Sequence, residues 1–128
     1  MTRLFLLLNA VLFLGFGIVT FFDPAQLFVS QGIDPADITN SVMYELRSNY
    51  GGVNIGIGLA CAGAVLRTSL QRPALYLLLA FTGGYALGRI LSLPIDGIPS
   101  PNLIGYALYE IFTATIAFLL LRAPKSDA

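Results

Sequence analysis

The 128-residue chain is 56% hydrophobic and 11% charged, with seven basic and seven acidic residues and a mean hydropathy of +0.79. That composition excludes an ordinary soluble globular domain and indicates a membrane protein. A net charge of zero gives no ground for nucleic acid as a partner.

A bilayer core of about 30 Å takes about 20 apolar residues per helix, so four spans would consume most of the chain. The first run, Leu4 to Phe22, carries no charge and stops at Asp23-Pro24, where proline pushes the preceding residue out of the helix. An N-terminal signal peptide is the rival reading of this segment, because Arg3 precedes an apolar stretch. The run is too long for a usual signal core and no small-x-small cleavage site follows, so a retained span is expected. The segment Asp23 to Thr39 contains two Asp-Pro steps and mixed polarity, which suggests a surface connection with a short interfacial helix. A second span is expected over 41–66, capped by Asn40 or Ser41. A third over 73–93 opens at Pro73 and ends before Pro94, and a fourth over 102–121 begins at Pro101-Asn102 and ends at Arg122 with Pro124 beyond. The expected fold is all-α, one antiparallel bundle of four transmembrane helices forming a single domain over residues 1–128.

Basic residues orient the spans. The N-terminus, the connection between spans two and three, and the C-terminus share one side and hold Arg3, Arg67, Arg72, Arg122 and Lys125, five of the seven. The opposite connections hold Asp23, Asp34, Asp37 and Asp96 but no lysine or arginine, which places both termini in the cytoplasm.

The two remaining arginines, Arg47 and Arg89, fall inside expected spans together with Glu45 and Glu110. At about 1.5 Å per helical residue, Glu45 and Arg47 lie roughly 8 to 10 Å below Asn40, Arg89 about 8 Å inside Pro94, and Glu110 about 13 Å inside Pro101. Charge at such depth costs at least a few kcal/mol, so each group should face the interior and meet a partner. Glu45 and Arg47 stand about 200° apart around their helix and cannot easily pair with each other. Interhelical contacts of Arg47 and Arg89 with Glu110 and Glu45 are therefore expected, with Asp96 as a further acceptor. Tyr106, Tyr109, Glu110 and Thr113 form a polar stripe on the fourth span, and Arg47, Tyr50 and Asn54 another on the second, with Asn49 beside it. Gly52, Gly56 and Ala60, and likewise Gly84 and Gly88, have the small-xxx-small spacing that lets helices approach closely in lipid.

The combination of "ELRSNYGG" in the second span, Gly88-Arg89 followed by Asp96-Gly97 and a proline, and a glutamate within the last span resembles the bacterial membrane family catalogued as domain of unknown function 4345. The likeness covers nearly the whole chain, including a first span that ends in "FFDP". It implies a four-helix integral membrane protein in which Glu45, Arg47, Tyr50, Gly51, Gly52, Gly88, Arg89, Asp96 and Glu110 occupy characteristic positions. It implies no reaction. A looser resemblance to DoxX-like four-helix proteins bears on architecture alone.

The residues that are missing narrow the chemistry. Without histidine there is no imidazole metal site and no commonest general base. The single Cys61, deep in the second span, reads as a packing residue. "GGVNIGIG" lacks the lysine and hydroxyl residue of a phosphate loop. Arginines would compete for the oxygens of any carboxylate metal site, so neither metal nor cofactor is expected. Three classes of function remain. The leading one is a non-catalytic binder of a lipid- or quinone-like amphiphile at Glu45, Arg47, Asn49, Tyr50, Asn54, Arg89, Asp96, Tyr106, Tyr109 and Glu110, opening toward the periplasm of a bacterial inner membrane. The second is an accessory or assembly subunit of a larger inner-membrane complex, or a homo-oligomer. The third is a proton-coupled carrier or simple proton-transfer enzyme using Glu110. Beside all three stands the bland alternative, that the paired charges only fix register and topology. The expected partners are membrane lipid and the amphiphile or complex just named.

Overall fold

The computed structural model describes residues 1–29 and 31–123; Pro124 and Lys125, which figured in the span limits and the charge asymmetry, lie outside the described residues. All regular structure among those residues is helical, and four helices are long and apolar enough to cross a membrane: Thr2–Phe22, Asn40–Leu66, Thr68–Asp96 and Pro101–Arg122. This is a multi-pass, all-α membrane protein.

Helix α1 (Thr2–Phe22) ends where Pro24 forbids continuation. A short α2 (Gln26–Val29) and a 3₁₀ turn (Pro35–Asp37) occupy the connection, the turn being capped by the Asp34 carboxylate on the Ala36 N–H. Helix α3 (Asn40–Leu46) is capped by Thr39, not by Asn40 or Ser41: the Thr39 hydroxyl accepts from the Val42 N–H at 3.4 Å while Asn40 is already helical. A π-helical turn, Arg47–Gly52, joins α3 to α4 (Val53–Leu66) without a break in direction. A 3₁₀ turn (Thr68–Leu70) leads into α5 (Gln71–Asp96), and α6 (Pro101–Arg122) opens with proline at its first turn.

Helix α5 does not stop at Pro94. Proline removes one donor and breaks no further bond near a helix end, so the last turn closes around it. Termination falls to Gly97, whose φ of +85° and N–H to the Leu93 carbonyl (3.1 Å) form a left-handed cap.

The described chain divides into two compact units, Met1–Gln71 and Arg72–Ala128. In the first, α1 and α4 run antiparallel, because contacts that descend α1 ascend α4. A Cβ at Gly51 would stand 2.8 Å from the Phe21 Cα, one at Gly17 2.8 Å from the Ile55 N, and one at Gly58 2.7 Å from the Leu14 Cγ. Backbones this close are possible only with glycine at those positions. The ridges expected from spacing are elsewhere: Gly56, Gly84 and Gly88 have nothing within 4 Å of a Cβ position, and Gly52 has only the Arg47 carbonyl at 3.9 Å. Small residues four apart occur on every face of an apolar helix, and the face that packs is decided by its neighbour.

In the second unit, α5 and α6 are also antiparallel. Arg89 reaches Glu110, a Cβ at Gly83 would lie 3.9 Å from the Ala114 Cβ, and the Arg72 Nη2 donates to the Leu121 carbonyl at 3.3 Å. Each long helix buries one stripe at helical spacing: Leu6, Asn9, Ala10, Phe13, Gly17 and Thr20 on α1, Asn54, Ile57, Gly58, Cys61 and Ala64 on α4, Ala74, Leu75, Leu78, Thr82 and Ala86 on α5, and Glu110, Thr113, Ala117 and Leu121 on α6.

Candidate functional site

The polar residues singled out by the sequence form two groups, one in each unit. Of the contacts expected of Arg47 and Arg89 with Glu110 and Glu45, one is present, in the second unit, between Arg89 and Glu110. The Arg89 Nε donates to the Glu110 Oε2 at 2.7 Å and Nη2 to Oε1 at 3.0 Å, a two-pronged ion pair. The side chain of Glu110 is 12% exposed and that of Arg89 27%. Glu110 lies nine residues into α6, about 13 Å along a helix about 33 Å long, so the pair sits in the middle third of a helix long enough to cross a membrane. Tyr106, one turn before Glu110, places its ring centroid 6.0 Å from the guanidinium carbon of Arg89, the outer limit of a cation–π contact. Tyr109 is half-buried beside Glu110 on the same helix. Asp96 is exposed at the end of α5, seven residues beyond Arg89, and serves there as the residue before the glycine cap.

The first unit treats its arginine differently. Arg47 is exposed and gives its Nε–H to the Phe21 carbonyl at 2.8 Å. Phe21 is in the last turn of α1, where carbonyls lack intrahelical partners and the helix dipole is negative. No basic residue of α1 lies in that turn, so an arginine from the neighbouring helix caps it. No carboxylate among the described residues lies within ion-pair distance of Arg47. The glutamate contact expected for it is replaced by a carbonyl that equally needs a donor. Glu45, also exposed, is held by its own helix: the Asn49 Nδ2 donates to the Glu45 Oε2 at 2.9 Å and to its carbonyl at 3.0 Å. Asn54 is buried and donates to the carbonyl of the half-buried Tyr50 at 2.8 Å.

This register also revises the depth of Arg47. With 21 residues at about 1.5 Å each, α1 is about 31 Å long and spans the hydrocarbon core by itself. Arg47 touches its final turn. It therefore lies level with the end of α1, and α3 projects past that end. Counting from Asn40 assumed that the helix begins where the membrane does.

Sequence reasoning missed several participants. Gly51 lets the π turn approach Phe21, and only the presence of two adjacent glycines hinted at a special backbone there. The Phe21 carbonyl carries no side-chain signal at all. Arg72 counted as a cytoplasmic charge but also caps α6 at Leu121. Among the described residues no three histidine, cysteine or carboxylate side chains converge as they would to hold a metal ion. No buried side-chain nitrogen or oxygen among them lacks a hydrogen-bond partner.

These residues lie within a recognised sequence family. Its model, DUF4345, described as a domain of unknown function, matches residues 1–121. The chain belongs to this family. No curated protein and no solved structure matches it. The match takes in α1 through nearly all of α6, so both polar groups of this DUF4345 chain lie inside the region that defines the family.

Proposed function

We propose that the protein is a non-catalytic component of the bacterial inner membrane, an accessory or assembly subunit in which Arg89 and Glu110 lock α5 to α6 and the lipid-facing surface meets a larger complex. One observation supports the locking role, and with it the bland alternative as well: the guanidinium and the carboxylate are closed onto each other through both prongs, at 2.7 and 3.0 Å. A site built to receive an oxygen-rich head group would present the arginine edge to its ligand, not spend it on an internal glutamate.

Both termini are assigned to the cytoplasm. Supporting this, Arg3, Arg67, Arg72 and Arg122 all lie at the ends of spans that share one side, while the other connections carry aspartates.

The amphiphile reading keeps one specific support. The Arg89 side chain retains 27% exposure and has the Tyr106 ring at its flank, so part of the pair is reachable.

Gentle extraction of the tagged protein from its own membrane separates the two readings. Native mass spectrometry is run on wild type and on the charge-swapped Arg89→Glu, Glu110→Arg chain. A subunit should carry the same larger protein in both forms. A small molecule bound to wild type and absent from the swap would overturn the subunit reading in favour of the binder.

A further inference from the structure

The charges of the first unit do not balance locally, and the imbalance has a position. Arg47 is exposed, its Nε is committed to the Phe21 carbonyl, and its two terminal nitrogens have no partner among the described residues. Two acids of this unit are held by neutral amides: Asp23 by the Gln26 Nε2 at 3.0 Å and Glu45 by the Asn49 Nδ2 at 2.9 Å. A carbonyl oxygen brings only part of a negative charge to a full cation. Arg47 also stands level with the end of α1, and a 21-residue helix is just long enough to cross the hydrocarbon, so its end is where head groups are expected. Tyr44, one turn before Arg47 on α3 and 70% exposed, is a residue type enriched at that boundary.

At that depth the abundant anion is the phosphodiester of the bilayer itself. A guanidinium is planar and weakly hydrated, and its paired terminal N–H groups match two oxygens of a phosphate. The Phe21 bond fixes the side chain near its Nε and leaves that pair available.

From this we infer that Arg47 is a phospholipid site: its terminal nitrogens hold the phosphate of one head group, while Nε caps α1. The cap and the lipid are linked through one planar group. The lipid therefore steadies the junction of α1 with the π turn, a role separate from the locking assigned to Arg89 and Glu110.

The first test needs no variant. Phenylglyoxal attacks the terminal nitrogens of arginine, and peptide mass spectrometry reads each modified position. The wild-type chain is reconstituted in phosphatidylglycerol vesicles and in vesicles of a galactosyl diacylglycerol with the same acyl chains and no phosphate. Arg47 should be modified at least about tenfold more slowly in the phospholipid. Equal rates in the two lipids would overturn the site.

A binding measurement then localises it. Detergent-solubilised Arg47→Gln, which keeps an amide donor for Phe21 but loses the charge, should retain phosphatidylglycerol at least about tenfold less than wild type. Arg47→Lys should recover most of the retention, and the galactolipid should distinguish none of the three. Unchanged phospholipid retention in Arg47→Gln would overturn the assignment, and if that variant does not fold, the wild-type protection experiment decides alone.

Discussion

The two helical units place an arginine on the same chemical problem at different depths and solve it in different ways. In the second unit, Arg89 meets the middle third of α6 and takes a full counter-charge through two hydrogen bonds to Glu110. In the first, Arg47 lies level with the end of α1, takes a helix carbonyl, and remains exposed. Backbone packing reverses this order. α1 and α4 meet at Gly17, Gly51 and Gly58 with no room for a Cβ, whereas Gly84 and Gly88 of α5 have open space around them. The first unit is thus held by closeness and the second by charge. Lipid offers no hydrophobic drive between helices, so a pair must use one or the other.

The largest effect should come from breaking the charge contact. Glu110→Ala leaves Arg89 uncompensated at depth and should lower the unfolding free energy by about 3–5 kcal/mol, read by thermal or denaturant unfolding in detergent. Swapping the two residues, Arg89→Glu with Glu110→Arg, should restore a substantial part of that loss. A swap no better than the single variant would show that orientation or surroundings, not charge pairing, hold the second unit.

Next come the glycines. Gly51→Ala pushes a methyl against the Phe21 backbone, and Gly58→Ala pushes one against Leu14. Each should cost about 1–3 kcal/mol. Gly84→Ala and Gly88→Ala meet nothing and should gain about 0.5–1 kcal/mol from lower backbone entropy. Equal behaviour of the two sets would erase the contrast between the units.

Smaller again is the cap. Arg47→Ala removes the donor and the charge from the end of α1 and should cost about 0.3–1 kcal/mol in detergent, with Arg47→Lys nearer to wild type. Asp96→Asn, at an exposed position beside the glycine cap, should leave the melting temperature unchanged.

Much of this was legible in the sequence. Long apolar runs and the prolines at 24 and 101 gave four spans close to the observed limits, because span length follows from bilayer thickness. The Arg89–Glu110 pair was legible for a similar reason: two opposite charges at depth, on consecutive helices, have few other ways to be satisfied. Arg47 was harder. Its depth depends on the register of α1 against α4, which Gly17, Gly51 and Gly58 set by contacts that spacing alone does not single out. The π turn was invisible for a deeper reason. It arises from bonds that skip one residue, such as the Val53 N–H to the Ser48 carbonyl, and no residue type requires that pattern. Pro94 misled in the opposite direction, since a proline three residues before a glycine cap costs a helix little.

The buried hydroxyl and amide groups bear on how the chain enters the bilayer. Asn9, Thr20, Asn54 and Thr82 each donate to the carbonyl four residues back on their own helix, at 2.6 to 2.9 Å. Each bond satisfies a donor within its own helix, which lowers the cost of placing that helix in lipid before its neighbours arrive. Arg89 and Glu110 instead bond across helices, 21 residues apart. Inserting α5 ahead of α6 would leave the Arg89 charge without the carboxylate it meets in the folded chain, at a cost of about 2.5–3.5 kcal/mol on insertion scales.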